Sequence, residues 1–112
     1  MMITEQEYTT IDNLDIYPYD INRLNWNDGV RACEFIGNGW RLPTKNELNS
    51  IYINKAMIGG FASDNYWSSS KTDTNNAWTQ YFGNGAQGTY YETNSFYVRP
   101  VRTTASHLID TP

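Results

Sequence analysis

The residue types that perform nucleophilic, acid–base or metal chemistry are scarce in this sequence. It contains one cysteine, Cys33, and one histidine, His107. A nucleophilic triad or a zinc site needs several such groups held together. Cys33 lies in an amphipathic run that favours a buried, inert thiol, and a histidine in a polar tail is usually only solvated. We therefore expect no enzyme activity. A single cysteine allows no internal disulfide, although a bridge between molecules stays open.

One short run gathers the oxygen ligands that calcium prefers. It extends from Asp73 through Asn75 to Asn76 on a predicted loop. A dedicated calcium loop spaces its carboxylates and ends in a bidentate Glu, and this run has neither feature. A solvated loop is the better interpretation, so we predict that the protein uses no cofactor and that calcium is disfavoured.

Neutral amides and tyrosines are concentrated between residues 75 and 97. Amides offer adaptable hydrogen bonds and tyrosines offer rigid contact area, the combination that recognition surfaces favour. The candidate partner-binding residues are Asn75, Asn76, Gln80, Asn84, Gln87, Tyr90, Tyr91 and Asn94. An equally weighted alternative is that alternate aromatic residues of 90–91 and 96–97 fill the core while the other residues form a neutral β surface.

Composition excludes several classes of partner. The chain of 112 residues fits one domain with a real core. Eight basic residues face twelve acidic ones, which gives a net charge of -4 with no basic run. The positive surface that nucleic acids or anionic membranes require is therefore missing. We recognise no signal peptide and no apolar run of spanning length, so neither secretion nor membrane insertion is predicted.

Two helices are predicted in the first half of the chain. Asn25 suits an N-cap and Gly37 a C-terminal glycine, and the helix between them should bury Trp26, Val30, Cys33 and either Phe35 or Ile36. Thr44 and Glu47 form a Thr-x-x-Glu capping box. The second helix should therefore begin at Thr44 and bury Leu48, Ile51, Tyr52 and either Ala56 or Met57.

The remaining elements are predicted strands. Leu14 to Tyr17 alternates and then meets Pro18, which favours a short strand at a sheet edge. Residues 82–88 are typical of a hairpin connection, with Gly83, Gly85 and Gly88 as turn glycines. The other predicted strands span residues 65–70, 76–82, 88–93 and 96–103. We expect a flexible lead-in over residues 1–13, one domain over 14–103 and a polar tail over 104–112.

Four motifs occur in a recognisable order: a Gly-Trp-Arg-Leu-Pro-Thr run at 39–44, Tyr-Trp-Ser-Ser-Ser at 66–70, Ala-Trp at 77–78 and Val-Arg-Pro-Val-Arg at 98–102. Together they resemble small bacterial and phage domains of the Lcl C-terminal and Fibrobacter succinogenes major paralogous types. The resemblance implies a compact C-type-lectin-like fold of the α+β class, with two helices followed by a mainly antiparallel twisted sheet. The fold is similar to that of formylglycine-generating enzymes.

The motif residues are interpreted mainly as scaffold. Pro43 presets the backbone before the helix, and the tryptophans supply bulk for a small core. The arginines could contact a ligand, but we favour structural roles because a guanidinium can satisfy several carbonyls where loops cross. The structural set is Trp40, Arg41, Pro43, Thr44, Glu47, Trp67, Trp78, Arg99 and Arg102.

The resemblance does not transfer a known activity. Formylglycine-generating relatives use a reactive cysteine pair late in the chain, and no cysteine follows Cys33. Sugar-binding C-type lectins use a calcium loop and a Trp-Asn-Asp triplet on a late strand. Here that triplet is Trp26-Asn27-Asp28, at a predicted helix start.

Relatives with this fold include displayed phage and bacterial proteins. The leading hypothesis is therefore a non-catalytic recognition or assembly module of a phage virion, in a fibre or as capsid decoration, made in the cytoplasm. Its partner would be a protein or glycan at a host or virion surface, and avidity would favour a homo-oligomer or docking on a larger fibre. The alternatives are an adhesin-like domain on a bacterial cell surface and, disfavoured, an enzyme of the formylglycine-generating fold.

Overall fold

A computed structural model describes residues 7–104. Residues 1–6 of the predicted lead-in (1–13) and residues 105–112 of the predicted tail (104–112), with His107, lie outside the described residues. The elements in chain order are β1 Thr9–Ile11, β2 Leu14–Ile16, β3 Arg23–Leu24, α1 Trp26–Ile36, α2 Lys45–Ile53, α3 Lys55–Ile58, β4 Asn65–Lys71, β5 Asn76–Tyr81, β6 Gln87–Tyr91, β7 Phe96–Tyr97 and β8 Val101–Thr103. This arrangement confirms the predicted α+β class.

Helix α1 has the predicted ends. The side chain of Asn25 accepts a hydrogen bond from the backbone amide three residues later at 2.9 Å, which caps the helix. Gly37 follows the helix with a φ of +78°, a conformation that favours glycine. Cys33 is fully buried, whereas Phe35 is 92% exposed. Of the two predicted alternatives, the half-buried Ile36 therefore continues the inward face.

The capping box of α2 is confirmed. The Thr44 hydroxyl accepts from the Glu47 amide at 3.1 Å, and the Glu47 carboxylate accepts from the Thr44 amide at 2.9 Å. Thr44 is thus the N-cap, and the helix proper begins one residue later. Leu48 and Ile51 are buried on its inner face, as their spacing predicts.

The prediction that this helical face extends to Ala56 or Met57 is wrong. The side chain of Asn54 donates to the carbonyl of Ser50 at 2.8 Å, and α2 ends there. The short helix α3 then begins at Lys55, and Ala56 and Met57 are exposed. Ile58 packs against the core instead.

Two sheets organise the strands. The smaller has the order β1-β2-β8 and the larger β3-β7-β4-β5-β6, with antiparallel pairing except between β4 and β7. Asp12 and Asn13 join β1 to β2 with φ angles of +51° and +65°, as a type I′ hairpin requires. The predicted edge position of the strand from Leu14 to Tyr17 is wrong, because Thr9–Ile11, which falls within the predicted lead-in, forms the outer strand.

Strand β4 divides the core in two. Tyr66 and Trp67 are consecutive on this strand, so their side chains point to opposite faces of the sheet, and both are fully buried. Tyr66 packs in a cluster with Leu48 and Ile51 of α2. Trp67 packs in a second cluster with Cys33 of α1. Helix α2 therefore packs on one face of the larger sheet and helix α1 on the other.

Three predicted details differ in the structure. Residues 96–103 form two short strands, because the chain leaves the sheet at Val98–Pro100 and buries Arg99. Trp78 is only half-buried and lies under the ammonium group of Lys45, 3.6 Å from the ring centroid, so it borders the core. Gly88 is a residue of β6, whereas Gly85, with a φ of +85°, occupies the turn.

Candidate functional site

The β5–β6 hairpin gathers the eight candidate partner-binding residues. Its register pairs Asn76 with Tyr91 and Gln80 with Gln87. The remaining four are Asn75, Asn84, Tyr90 and Asn94, which lie on β6, in the connecting turn or beside the outer ends of the strands. Strand β6 is the last strand of the larger sheet, so most of these side chains face solvent.

Gln80 does not belong to this surface. Its side chain has no exposure, and its amide nitrogen donates to the Asn49 side chain at 2.8 Å and to the Gly85 carbonyl at 3.0 Å. The prediction of Gln80 as a partner contact is therefore wrong. Its amide instead fixes the hairpin turn against α2, because a buried amide must be hydrogen-bonded.

Side-chain alternation along β6 separates its two tyrosines. Tyr90 is 41% exposed and Tyr91 54% exposed, and they point to opposite faces. Tyr90 packs edge-on against Phe96, with ring centroids 4.9 Å apart. Tyr91 shares its face with Gln87, whose side chain donates to the Lys45 carbonyl at 3.2 Å. Neither tyrosine fills the core.

The outer end of the hairpin is ordered by Asp73. Its carboxylate accepts hydrogen bonds from the backbone amides of Asn75 at 2.8 Å and Asn76 at 3.0 Å and from the Asn76 side chain. The first of these bonds is the main cause that lowers the pKa of Asp73. The Asn94 side chain donates to the Tyr91 carbonyl at 3.0 Å. These carboxylate and amide groups therefore act as local turn caps.

The three motif arginines contact carboxylates and carbonyls of the scaffold. Arg41 makes a bidentate pair with Glu47, at 2.7 and 3.1 Å. Arg102 donates to Asp15 at 3.0 Å and to the Asn38 carbonyl at 3.2 Å. The hydrogen-bond partners of both arginines are therefore scaffold groups.

Arg99 is the most buried arginine, at 1% exposure. It donates to Asp20 at 2.9 Å and to the Gly60 carbonyl at 2.8 Å. The same carboxylate accepts a hydrogen bond from the Tyr66 hydroxyl at 2.6 Å. The planar guanidinium thus joins the loop after β2, the loop after α3 and the central strand.

The Cys33 thiol is placed for packing. Burial, together with the charge of Glu34, raises its pKa to about 12. A thiol with such a pKa holds almost no thiolate at neutral pH, and the thiolate is the reactive form. Among residues 7–104, no three His, Cys, Asp or Glu side chains are grouped as metal ligands. No helix within the same range is long and apolar enough to cross a membrane.

The sequence reasoning missed two residues of the hairpin region, Asn65 and Tyr81. They are directly paired across β4 and β5 and line a shallow cleft together with Asn84, Gln87 and Tyr90. Tyr81 carried a compositional signal, since it stands in the tyrosine- and amide-rich segment. Asn65 carried none, because its position depends on a strand register that joins distant parts of the chain.

The sequence matches the Lcl C-terminal domain over residues 5–102. This chain belongs to the Lcl C-terminal domain family. The match confirms the predicted resemblance and includes strand β1. No curated protein matches the sequence.

Two solved structures place the fold of this Lcl C-terminal domain. The crystal structure of botrocetin is similar with a TM-score of 0.65, at 10% identity, over 91% of this chain and 100% of that chain. Botrocetin in complex with the A1 domain of a von Willebrand factor mutant is similar with a TM-score of 0.61, at the same identity and coverage. The C-type-lectin-like fold is therefore confirmed, and family and fold together fit a non-catalytic binding module.

Proposed function

We propose that this domain is a non-catalytic recognition module of a phage virion, in a fibre or as capsid decoration. Its β5–β6 hairpin binds a partner on the host surface or on the virion, and it does so without a cofactor. The observation that carries the proposal is the uncovered edge of the larger sheet, where Tyr90 and Tyr91 are exposed among uncharged amides. Aromatic area with adaptable polar groups is characteristic of recognition surfaces.

Two further observations support recognition. Botrocetin, which has a similar fold, forms a complex with a protein domain. The motif arginines and Glu47 are paired within the scaffold, whereas the hairpin presents exposed tyrosines beside amides. A single small domain gives modest affinity, so we propose that copies act together, as a homo-oligomer or on a larger fibre.

Fractionation of the native source tests the location. Lysates would be separated on a density gradient, and the protein would be followed with an antibody against the intact domain. Our proposal expects it to band with intact particles. Banding with cell envelope would overturn the virion role and favour an adhesin-like domain. Recovery only as free protein would overturn both.

A matched pair of variants tests the surface. Tyr91→Ala removes an exposed ring from the hairpin, and Tyr19→Ala removes a ring of comparable exposure, 54% against 43%, in the loop after β2. Particles that carry Tyr91→Ala should lose adsorption to host cells or lose the domain itself, while Tyr19→Ala particles should match the wild type. Equal behaviour of both variants would contradict the role of the hairpin.

A further inference from the structure

A cleft of about 410 Å³ lies on the face of the β5–β6 hairpin that carries Tyr81 and Tyr90. This volume falls in the range of small-molecule sites. Both tyrosine rings border it, with 37% and 41% of their surface exposed. The described residues that line it carry no charge: besides the tyrosines they are Asn65, Asn84, Ala86, Gln87 and Gly88.

Two glycines shape this cleft. Gly88 stands opposite Thr79, one pair before the turn end of the ladder, where any other residue would project a side chain into the cleft. A Cβ placed on Gly88 would meet only the Tyr90 ring, at an ordinary 3.8 Å. A Cβ on Gly83 would instead overlap the ring of Tyr81. The notch at Gly88 is therefore open because of its residue type, and the absence of a side chain at Gly83 leaves room for the Tyr81 ring.

Hydrogen-bonding groups on the rim are still available. The Asn65 side-chain oxygen accepts from Thr79 at 3.3 Å, and the Asn84 side-chain oxygen accepts from the Ala86 amide at 2.9 Å. These bonds orient both side chains and use only their oxygens. Within the described part of the chain, both amide nitrogens and the hydroxyls of the two tyrosines make no hydrogen bond.

We infer that this cleft binds one ring of an uncharged saccharide, without calcium. A sugar ring has an apolar C–H face that stacks on an aromatic ring and a rim of hydroxyls that pair with amides. The absence of charge in the lining disfavours phosphate, sulfate and carboxylate ligands. This inference rests on the proposed function, since it names the ligand class of the same hairpin.

The test is an array of uncharged and sulfated saccharides, probed with the full chain in EDTA, followed by saturation-transfer NMR on the best binder. We expect binding of uncharged saccharides with saturation of the ring protons. Gly88→Val places a β-branched side chain in the notch at a position that needs no special backbone angle, and Tyr90→Ala removes one stacking ring. Each should weaken binding by about tenfold or more, while Tyr19→Ala should leave it unchanged.

The outcomes separate the two proposals. No binding of uncharged saccharides, binding of sulfated ones only, or equal binding by wild type, Gly88→Val and Tyr90→Ala would overturn the saccharide cleft. If Gly88→Val does not fold by circular dichroism, Tyr90→Ala decides. Association with particles and no saccharide binding would leave the virion role standing and overturn this inference. Saccharide binding in a protein absent from particles would do the reverse.

Discussion

Arg99 and Asp20 are 79 residues apart in the sequence, yet Nε of Arg99 donates to Oδ1 of Asp20 at 2.9 Å in the interior. The arginine is 1% exposed, and the aspartate side chain is 17% exposed. The pair ties the closing segment of the domain to the loop after β2. Because the guanidinium also donates to two glycine carbonyls, one side chain fixes three parts of the chain.

Replacing one partner of this pair should destabilise the domain strongly. Arg99→Met keeps much of the apolar stem but leaves the Asp20 carboxylate without its counter-charge. Removal of one member of a buried pair costs about 3 kcal/mol or more in free energy of unfolding. Urea unfolding should show this loss for Arg99→Met. The double variant Arg99→Met with Asp20→Asn should recover part of it, and a double variant with fully additive losses would contradict the coupling.

Acid should weaken the fold through Asp15. Burial alone would raise its pKa, but hydrogen bonds from Thr104, Arg102 and Thr10 outweigh that effect and place the pKa below its ordinary value of 3.8. A carboxyl with a lowered folded-state pKa stabilises the protein above the unfolded value, and that stability is lost as the pH falls through the folded pKa. The melting temperature should therefore fall as the pH is lowered below about 4.

Asp15→Asn should reduce this dependence on pH. It should not abolish it, because hydrogen bonds from Arg41 and Thr44 outweigh burial and also lower the pKa of Glu47. The matched control is Asp12→Asn, in the exposed β1–β2 turn. Thermal melts between pH 3 and pH 7 measure how steeply the melting temperature of each variant depends on pH. If Asp15→Asn had the same pH dependence as the wild type, the Asp15 carboxylate would not be the cause of the acid destabilisation.

Removal of the α2 N-cap should lower the free energy of unfolding by less than removal of Arg99. Thr44→Ala deletes the hydroxyl that accepts from the Glu47 amide and leaves that donor unpaired, which costs about 1 kcal/mol. Thr44→Ser keeps the hydroxyl and should behave like the wild type in urea unfolding. The assignment of the N-cap would be contradicted if alanine and serine had the same effect.

The thiol of Cys33 should be inert while the domain is folded. A chromogenic disulfide reagent at pH 8 should react with the thiol only after denaturant unfolds the chain, because the native group is fully buried and its pKa is raised to about 12. Cys33→Ala should give no signal in either state and serves as the blank. Rapid reaction under native conditions would point to an opening of the core cluster that contains Cys33 and Trp67.

Features set by neighbouring residues could be predicted from the sequence. The capping box needs four consecutive residues, and the β5–β6 hairpin needs a turn-forming run between two strands. Features that depend on distant pairing could not. Alternation leaves two possible faces for Gln80, and Asn49, 31 residues earlier, decides which one is buried. The cleft partner Asn65 depends on the β4–β5 register in the same way.

The position of β2 between β1 and β8 has a mechanical consequence. Both outer strands run antiparallel to β2, so they are parallel to each other. A pull on the chain before Thr9 and after Thr103 draws the two strands in opposite directions along their length. The hydrogen bonds of both ladders then carry the load together in shear, whereas peeling would break them one after another. A domain tethered through both ends would resist tension through this small sheet before the larger sheet is loaded.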